Sequence, residues 1–271
     1  MADRVTVHII DHVADVRLNR PEKLNALDSE MFGAIVDAGE SLKGHPEVRA
    51  VVLSGAGRSF CAGLDFGSFQ AMADRDAPSA RSGGRTRDIT APLEGRLTHL
   101  GQQAAWVWQE LDVPVIGAIA GHALGGGFQI ALGPDIRIVH PDTKLSLMEI
   151  RWGLVPDMGA SVLLPQLVGL DVAKELYLTG RTIDGQQAVS LGVCTRCSED
   201  PYAEAMSLAQ EIAGKNPDAV RRMKDLLNGT AERDTAARFA AERDHIGALI
   251  GSPNQVEAVT AFFEKRPPIF E

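Results

Sequence analysis

The run VPVIGAIAGHALGGGFQIALG, residues 113–133, is apolar and long enough to tempt a membrane-span reading. Six glycines, His122 and Gln129 interrupt it, and a glycine cluster at 125–127 punctuates it as strand, turn and helix. On that reading Val115–Ala120 is a buried strand, HALGGG a turn, and a helix opens near Gly126 and runs to Leu132. A second segment has the same design. Ala50–Ser54 (AVVLS) is a short buried strand, and SFCAGLD at 59–65 is a glycine-bearing turn after it. Each turn can present a main-chain N–H where peptide dipoles favour negative charge, and glycine lets a ligand approach the backbone closely. Two such donors aimed at one oxygen make an oxyanion hole. Taken singly, each turn reads equally as tight packing. Neither has the G-x-G-x-x-G spacing of a dinucleotide site or the GK[ST] of a phosphate loop.

Outward from these turns the chain keeps alternating. Val5–Ile10 and Ala14–Asn19 pair as strands, and a helix from Glu30 to Lys43 carries the stripe Met31, Ile35, Leu42, with Ser29 as its expected cap. Ile136–Val139 and Lys144–Leu147 are further short strands, so the first part is an α/β core. Beyond Asp157 helices dominate, ending in amphipathic ones at Thr235–Ile250 and Gln255–Lys265 that need another surface to pack on. A division into a core over 1–200 and a helical region over 201–271 follows. The stretch from Ser68 to Leu97 is polar and rich in Gly, Pro and Arg, and reads as a long surface loop or a lid.

Composition narrows the function. The 271 residues are 45% hydrophobic, ample for a large core. A net charge of -9 and a pI near 5.3 exclude nucleic acid and anionic membrane as natural partners. Cys194 and Cys197 form a lone CxxC with no second pair, so neither a zinc site nor a disulfide framework is expected. The acid-containing N-terminus reads as neither signal nor transit peptide, and a reducing cytoplasm fits.

The ordered pieces together resemble the crotonase (enoyl-CoA hydratase/isomerase) superfamily nearly end to end. They are Asn19-Arg20-Pro21 with Asn25-Ala26-Leu27, SFCAGLD at 59–65, PVIGAIAGHALGGGFQIALGPDIRI at 114–138, LSLMEIRWGLVPDMGAS at 145–161, LTGRTIDGQQAVSLGVC at 178–194 and AFFEKRPP at 261–268. The resemblance implies a spiral of ββα units with a C-terminal helical region that forms trimers, often paired as hexamers. It implies an acyl-CoA thioester as substrate, with coenzyme A belonging to the substrate and no separate cofactor or metal. It places the oxyanion hole at the N–H groups of Leu64 and Gly126 and further CoA contacts at Ala62. Lys265 matches a lysine that reaches CoA from a neighbouring subunit, and equally reads as a solvated side chain. The lysine that often follows the first turn is replaced by Gly67.

The acid–base residues separate the possible reactions. Hydratases of the family use two glutamates, and their positions fall on Gln129 and Glu149. An amide has no proton to give or take near neutral pH, so Gln129 can only orient water or substrate. Glu149, set among Leu147, Met148 and Trp152, is either an ordinary carboxylate or, given the resemblance, the general base, its pKa raised by burial. Asp157, eight residues on, resembles the second carboxylate of the dienoyl-CoA isomerase branch, or it caps a helix beginning near Gly159. A 3,5- to 2,4-diene shift removes a proton at C2 and delivers one at C6, about 5–6 Å away, which suits two carboxyls as base and partner acid. The expected activity is therefore double-bond isomerisation of an enoyl- or dienoyl-CoA, with hydration or non-catalytic acyl-CoA binding as the alternatives. Asp65 is expected to cap a helix, His122 to pack within its turn, and Trp106 and Trp108 to line an acyl tunnel. Arg81, Arg85 and Arg87 read either as CoA-phosphate contacts or as a solvated charge run.

Overall fold

A computed structural model describes residues 3–65, 91–229 and 234–271. The 66–90 segment, with Gly67, Arg81, Arg85 and Arg87, lies outside the described residues, as does any helix that Asp65 would cap. The chain opens with a hairpin, β1 (Val5–Ile10) and β2 (Val13–Leu18), paired antiparallel from Val5↔Leu18 to Ile10↔Val13. Its two turn residues, Asp11 and His12, have φ of 48° and 66°, the positive values that a two-residue hairpin turn demands. Helix α1 (Ser29–Leu42) follows, then β3 (Ala50–Gly55). The cap of α1 is Asp28 rather than Ser29: its carboxylate accepts the Met31 N–H at 2.8 Å. Ser29 is the first helical residue, and Arg4 holds Asp28 in place at 2.8 Å.

From there the chain repeats a ββα turn. Helix α2 (Leu100–Trp106) leads to β4 (Val115–Ile119), β5 (His122–Leu124) and α3 (Gly126–Leu132). The next turn is β6 (Ile136–Val139), β7 (Lys144–Ser146), a 3₁₀ helix (Met148–Trp152) and α4 (Ala160–Val168). The first strand of each turn joins a six-stranded sheet of order β1-β2-β3-β4-β6-β8, where β8 is Arg196–Cys197 and every pair after β1-β2 is parallel. The second strands form a shorter layer: β5 pairs with β7, flanked by single bridges of Cys61 to Ala123 and Leu145 to Ile183. The sequence places β5 in a turn, because three residues between glycines are too few to show a period.

From β2 through β6 the main sheet is buried on both faces, as parallel sheets are. Val51 and Leu53 face the main core with Ala14, Val16 and Leu18, while Ala50 and Val52 face the other way. There Ala205, Ala209 and Ala213 of α7 (Pro201–Ala213) cover them, the small side chains letting the helix sit close. The sheet's second face is thus covered from beyond residue 200. Helices α5 (Leu170–Thr179) and α6 (Gly185–Ser190) precede α7. Helices α8 (Pro217–Asn228), α9 (Thr235–Leu249) and α10 (Pro253–Glu264) end the chain. No helix among the described residues is long and apolar enough to cross a membrane.

Candidate active site

The two glycine turns lie side by side, held by a parallel bridge. Cys61 donates its N–H to the His122 carbonyl at 2.8 Å, and Leu124 donates to the Cys61 carbonyl at 3.1 Å. Both strands then turn, and Leu64 and Gly126 each stand three residues past the bridged pair Cys61–Ala123. Their approach requires glycine. Gly63 has φ +88°, and a Cβ there would sit 2.5 Å from the Leu124 carbonyl oxygen; one at Gly127 would sit 2.3 Å from that of Cys61. Leu27 fixes the first turn by donating to Gly63 O at 2.8 Å and accepting from Asp65 N at 2.9 Å. That pattern turns Leu64's own N–H away from Leu27. The Gly126 N–H is the first of α3 and has no intrahelical acceptor. Among the described residues no acceptor meets either amide, and both residues are half-exposed, Leu64 next to buried Gly63 and Gly126 between buried Gly125 and Gly127.

A carboxylate stands beside this pair of amides. Glu149, on the 3₁₀ helix, has Oε1 3.5 Å from where a Gly125 Cβ would be. Burial is the main reason its pKa is raised, and the negative charge of Asp157 adds to the effect. Its Oε2 is buried without a hydrogen-bond partner among the described residues. Gln129, wholly buried on α3, donates from Nε2 to Glu149 Oε1 at 2.7 Å, while its Oε1 accepts the Met158 N–H at 2.7 Å. The Met158 amide fixes which way the side chain faces, so the nitrogen must point at Glu149. Gln129 therefore orients the carboxylate; the sequence offered water or substrate as its target.

Comparison with known proteins gives the family. The family model described as enoyl-CoA hydratase/isomerase matches residues 9–271. The chain belongs to the enoyl-CoA hydratase/isomerase family. A short-chain-enoyl-CoA hydratase of Clostridium acetobutylicum is 34% identical over 260 residues, covering 94% of this chain and 92% of that protein. A protein of Mycobacterium leprae named as a probable enoyl-CoA hydratase is 33% identical over 270 residues, 99% of this chain and 98% of its own. The crystal structure of an enoyl-CoA hydratase from Bacillus anthracis superposes with a TM-score of 0.85 at 28% identity, covering 98% of both chains. The crotonase fold expected from the sequence is thus the fold observed.

Other members of the enoyl-CoA hydratase/isomerase site fall less uniformly. Asp157 does not cap a helix: α4 has Gly159 at its N-cap, with no side-chain bond there. Its carboxyl is 60% exposed and lies 3.9 Å from Nε2 of His99. His99 was not singled out from the sequence, where a lone histidine between a polar stretch and a helix carries no signal. Ala62 is half-buried on the first turn, donating to Leu24 O at 2.9 Å. Lys265 is exposed at the end of α10, with φ 56°, and no described hydrogen bond joins it to the turns of its own chain. His122 packs as expected, its Nδ1 2.9 Å from Ser59 Oγ. Asp65 accepts from Arg20 at 2.8 Å, tying the first turn to the NRP segment. Trp108 lines no tunnel. It is fully buried, donating from Nε1 to Ala104 O at 3.1 Å, because it falls just past the end of α2 on the core side. Trp106 is only partly buried and packs against the same core. Cys194 lies in the core and burial pushes its thiol up to about 12, as a packing residue rather than a reactive one. Among the described residues no cluster of His, Cys, Asp and Glu has the makings of a metal site.

Proposed function

We propose that the chain moves the double bond of an enoyl- or dienoyl-CoA thioester. The Leu64 and Gly126 amides hold the enolate oxygen, and Glu149 transfers the proton. The carrying observation is the Met158–Gln129–Glu149 chain of hydrogen bonds. It commits the amide at 129 to aiming one carboxylate, so position 129 supplies no titrating group to hold water as the hydratase pair does. Shifting a 3-ene to a 2-ene needs only one carboxylate, which takes a proton from C2 and returns it at C4. For a 3,5-diene, burial of Glu149 favours the reverse of the order expected from the sequence. Glu149 retains its proton to higher pH and so serves as the donor at C6, which leaves the exposed Asp157 to accept at C2. The exposed Phe239, Ile250, Phe262 and Phe263 of the C-terminal helices support assembly as a homotrimer or hexamer, where Lys265 would serve a neighbour's CoA.

Hydration is the second reading. Relatives carry hydratase names, and the unpartnered Oε2 of Glu149 is free to hold a water. Ultraviolet absorbance with 3,5-dienoyl-, 3-enoyl- and 2-enoyl-CoA separates the two. The expected result is turnover of the first two and loss of both with Glu149→Gln, while CoA binding persists. Rapid loss of the 2-enoyl absorbance, with no isomerisation, would establish hydration instead. Undiminished turnover by Glu149→Gln would remove Glu149 from the mechanism.

A further inference from the structure

His99 occupies the N-cap of α2 and is held there from both sides. Its Nδ1 accepts the Gly101 N–H at 3.1 Å and the Gln102 N–H at 3.5 Å, while Gln102 Oε1 accepts the His99 N–H at 3.1 Å. A ring nitrogen that faces two amide hydrogens must present its lone pair, so the neutral imidazole carries its proton on Nε2. Nε2 is the atom nearest Asp157, 3.9 Å from Oδ2. The histidine side chain is 12% exposed and cannot swing away, whereas Asp157 is 60% exposed and free to approach. Closing the gap to a hydrogen bond takes about 1 Å. The start of α2 is also packed on the residue after Asp157: a Cβ at Gly101 would lie 3.4 Å from Met158 Cγ. Since the Met158 N–H binds Gln129 and Gln129 binds Glu149, one connected set of contacts runs from His99 to both carboxyls.

We propose that His99 is a positioning residue for Asp157. Its Nε2–H, fixed by the helix cap, holds the Asp157 carboxylate turned toward C2 of a bound dienoyl-CoA. This rests on the isomerase reading above and concerns only the two-carboxyl reaction. In the cycle Asp157 takes the C2 proton as the C2–H electron pair moves into the conjugated enolate. Glu149 then gives its proton to C6, leaving the 2,4-diene. Asp157 afterwards loses its proton to solvent and Glu149 regains one, so the net change is the double-bond shift alone. His99 keeps its Nε2 proton throughout.

The test uses His99→Asn, since asparagine is itself a strong N-cap and preserves the acceptor for the first turn while deleting the Nε2–H. A melting temperature near that of wild type verifies that the cap survives. The expected result is a fall of about 10-fold or more in the ratio of dienoyl- to 3-enoyl-CoA kcat, with KM little changed. The double variant His99→Asn, Asp157→Asn should be no slower on the diene than Asp157→Asn, because the two act as one unit. An unchanged ratio, or a double variant slower by the full factor of both, would assign His99 to the cap alone. Nitrogen-15 NMR of the ligand-free protein gives a readout independent of turnover. His99 should show the Nε2–H tautomer, with an Nε2 signal that moves in folded Asp157→Asn; a signal that stays put overturns the proposal even if His99→Asn misfolds. Wild-type protein inert toward dienoyl-CoA would sink the two-carboxyl reading and this proposal together, whereas an active wild type with an unchanged ratio in His99→Asn sinks the proposal alone.

Discussion

Replacing Gly63 by alanine should disable the site while leaving most of the fold in place, and the size of the effect can be worked from the backbone. Gly63 lies one residue before Leu64 with φ +88°, and a Cβ would meet the Leu124 carbonyl oxygen at 2.5 Å. Both partners are main chain, so no side chain can rotate to relieve the contact. An ordinary carbon–oxygen contact of roughly 3.4 Å requires the two turns to part by about 0.9 Å. The left-handed backbone adds about 1–2 kcal/mol of strain. An oxyanion donor works over about 2.7–3.1 Å, so such a displacement takes one amide out of range. Loss of one donor costs about 10²–10³ in kcat. Steady-state kinetics on 3-enoyl-CoA, with a thermal melt and CoA binding beside them, would measure this. Gly33→Ala is the control: nothing lies within 4 Å of its added Cβ inside α1, so it should gain about 0.5–1 kcal/mol in stability and keep full activity. Wild-type kcat in a folded Gly63→Ala protein would refute the role of the paired turns.

Four further outcomes follow from the same structure. Burial raises the Glu149 pKa, so on the proposed roles 3-ene shifting should fall as pH drops through that raised value, and diene shifting should fall as pH rises through it; pH profiles that move together would contradict the assignment. The folded chain holds this proton to higher pH than the unfolded one, so native stability declines as pH rises through the raised value, and Glu149→Gln should melt no lower than wild type at pH 8. Gln129→Leu removes a donor to a carboxylate and strands the buried Met158 N–H, and denaturant titration should show a loss of about 2–4 kcal/mol with kcat reduced more than KM is raised. Lys224, 7% exposed, pairs with Asp135 at 2.8 Å and donates to Val113 O at 2.9 Å; Lys224→Ala should cost about 3–5 kcal/mol in urea unfolding with the turnover of the remaining folded protein intact.

The sequence by itself determined the alternation of strands and helices, because buried strands such as Val115–Ile119 are short continuous apolar runs and glycines mark where they end. It also determined that Gln129 cannot titrate, which follows from its side chain alone. The tertiary structure decided what periodicity cannot carry. Asp28 and Ser29 are both good caps, and only the position of Arg4 and the start of the helix select between them. Trp108 fell on the core side because of where α2 stops. The contacts that join His99 to Asp157 and Gln129 to Glu149 span 58 and 20 residues, distances over which local spacing says nothing about who meets whom. Those meetings depend on how the ββα turns stack, and stacking is fixed by close backbone approach at glycines that in the sequence look like any other turn.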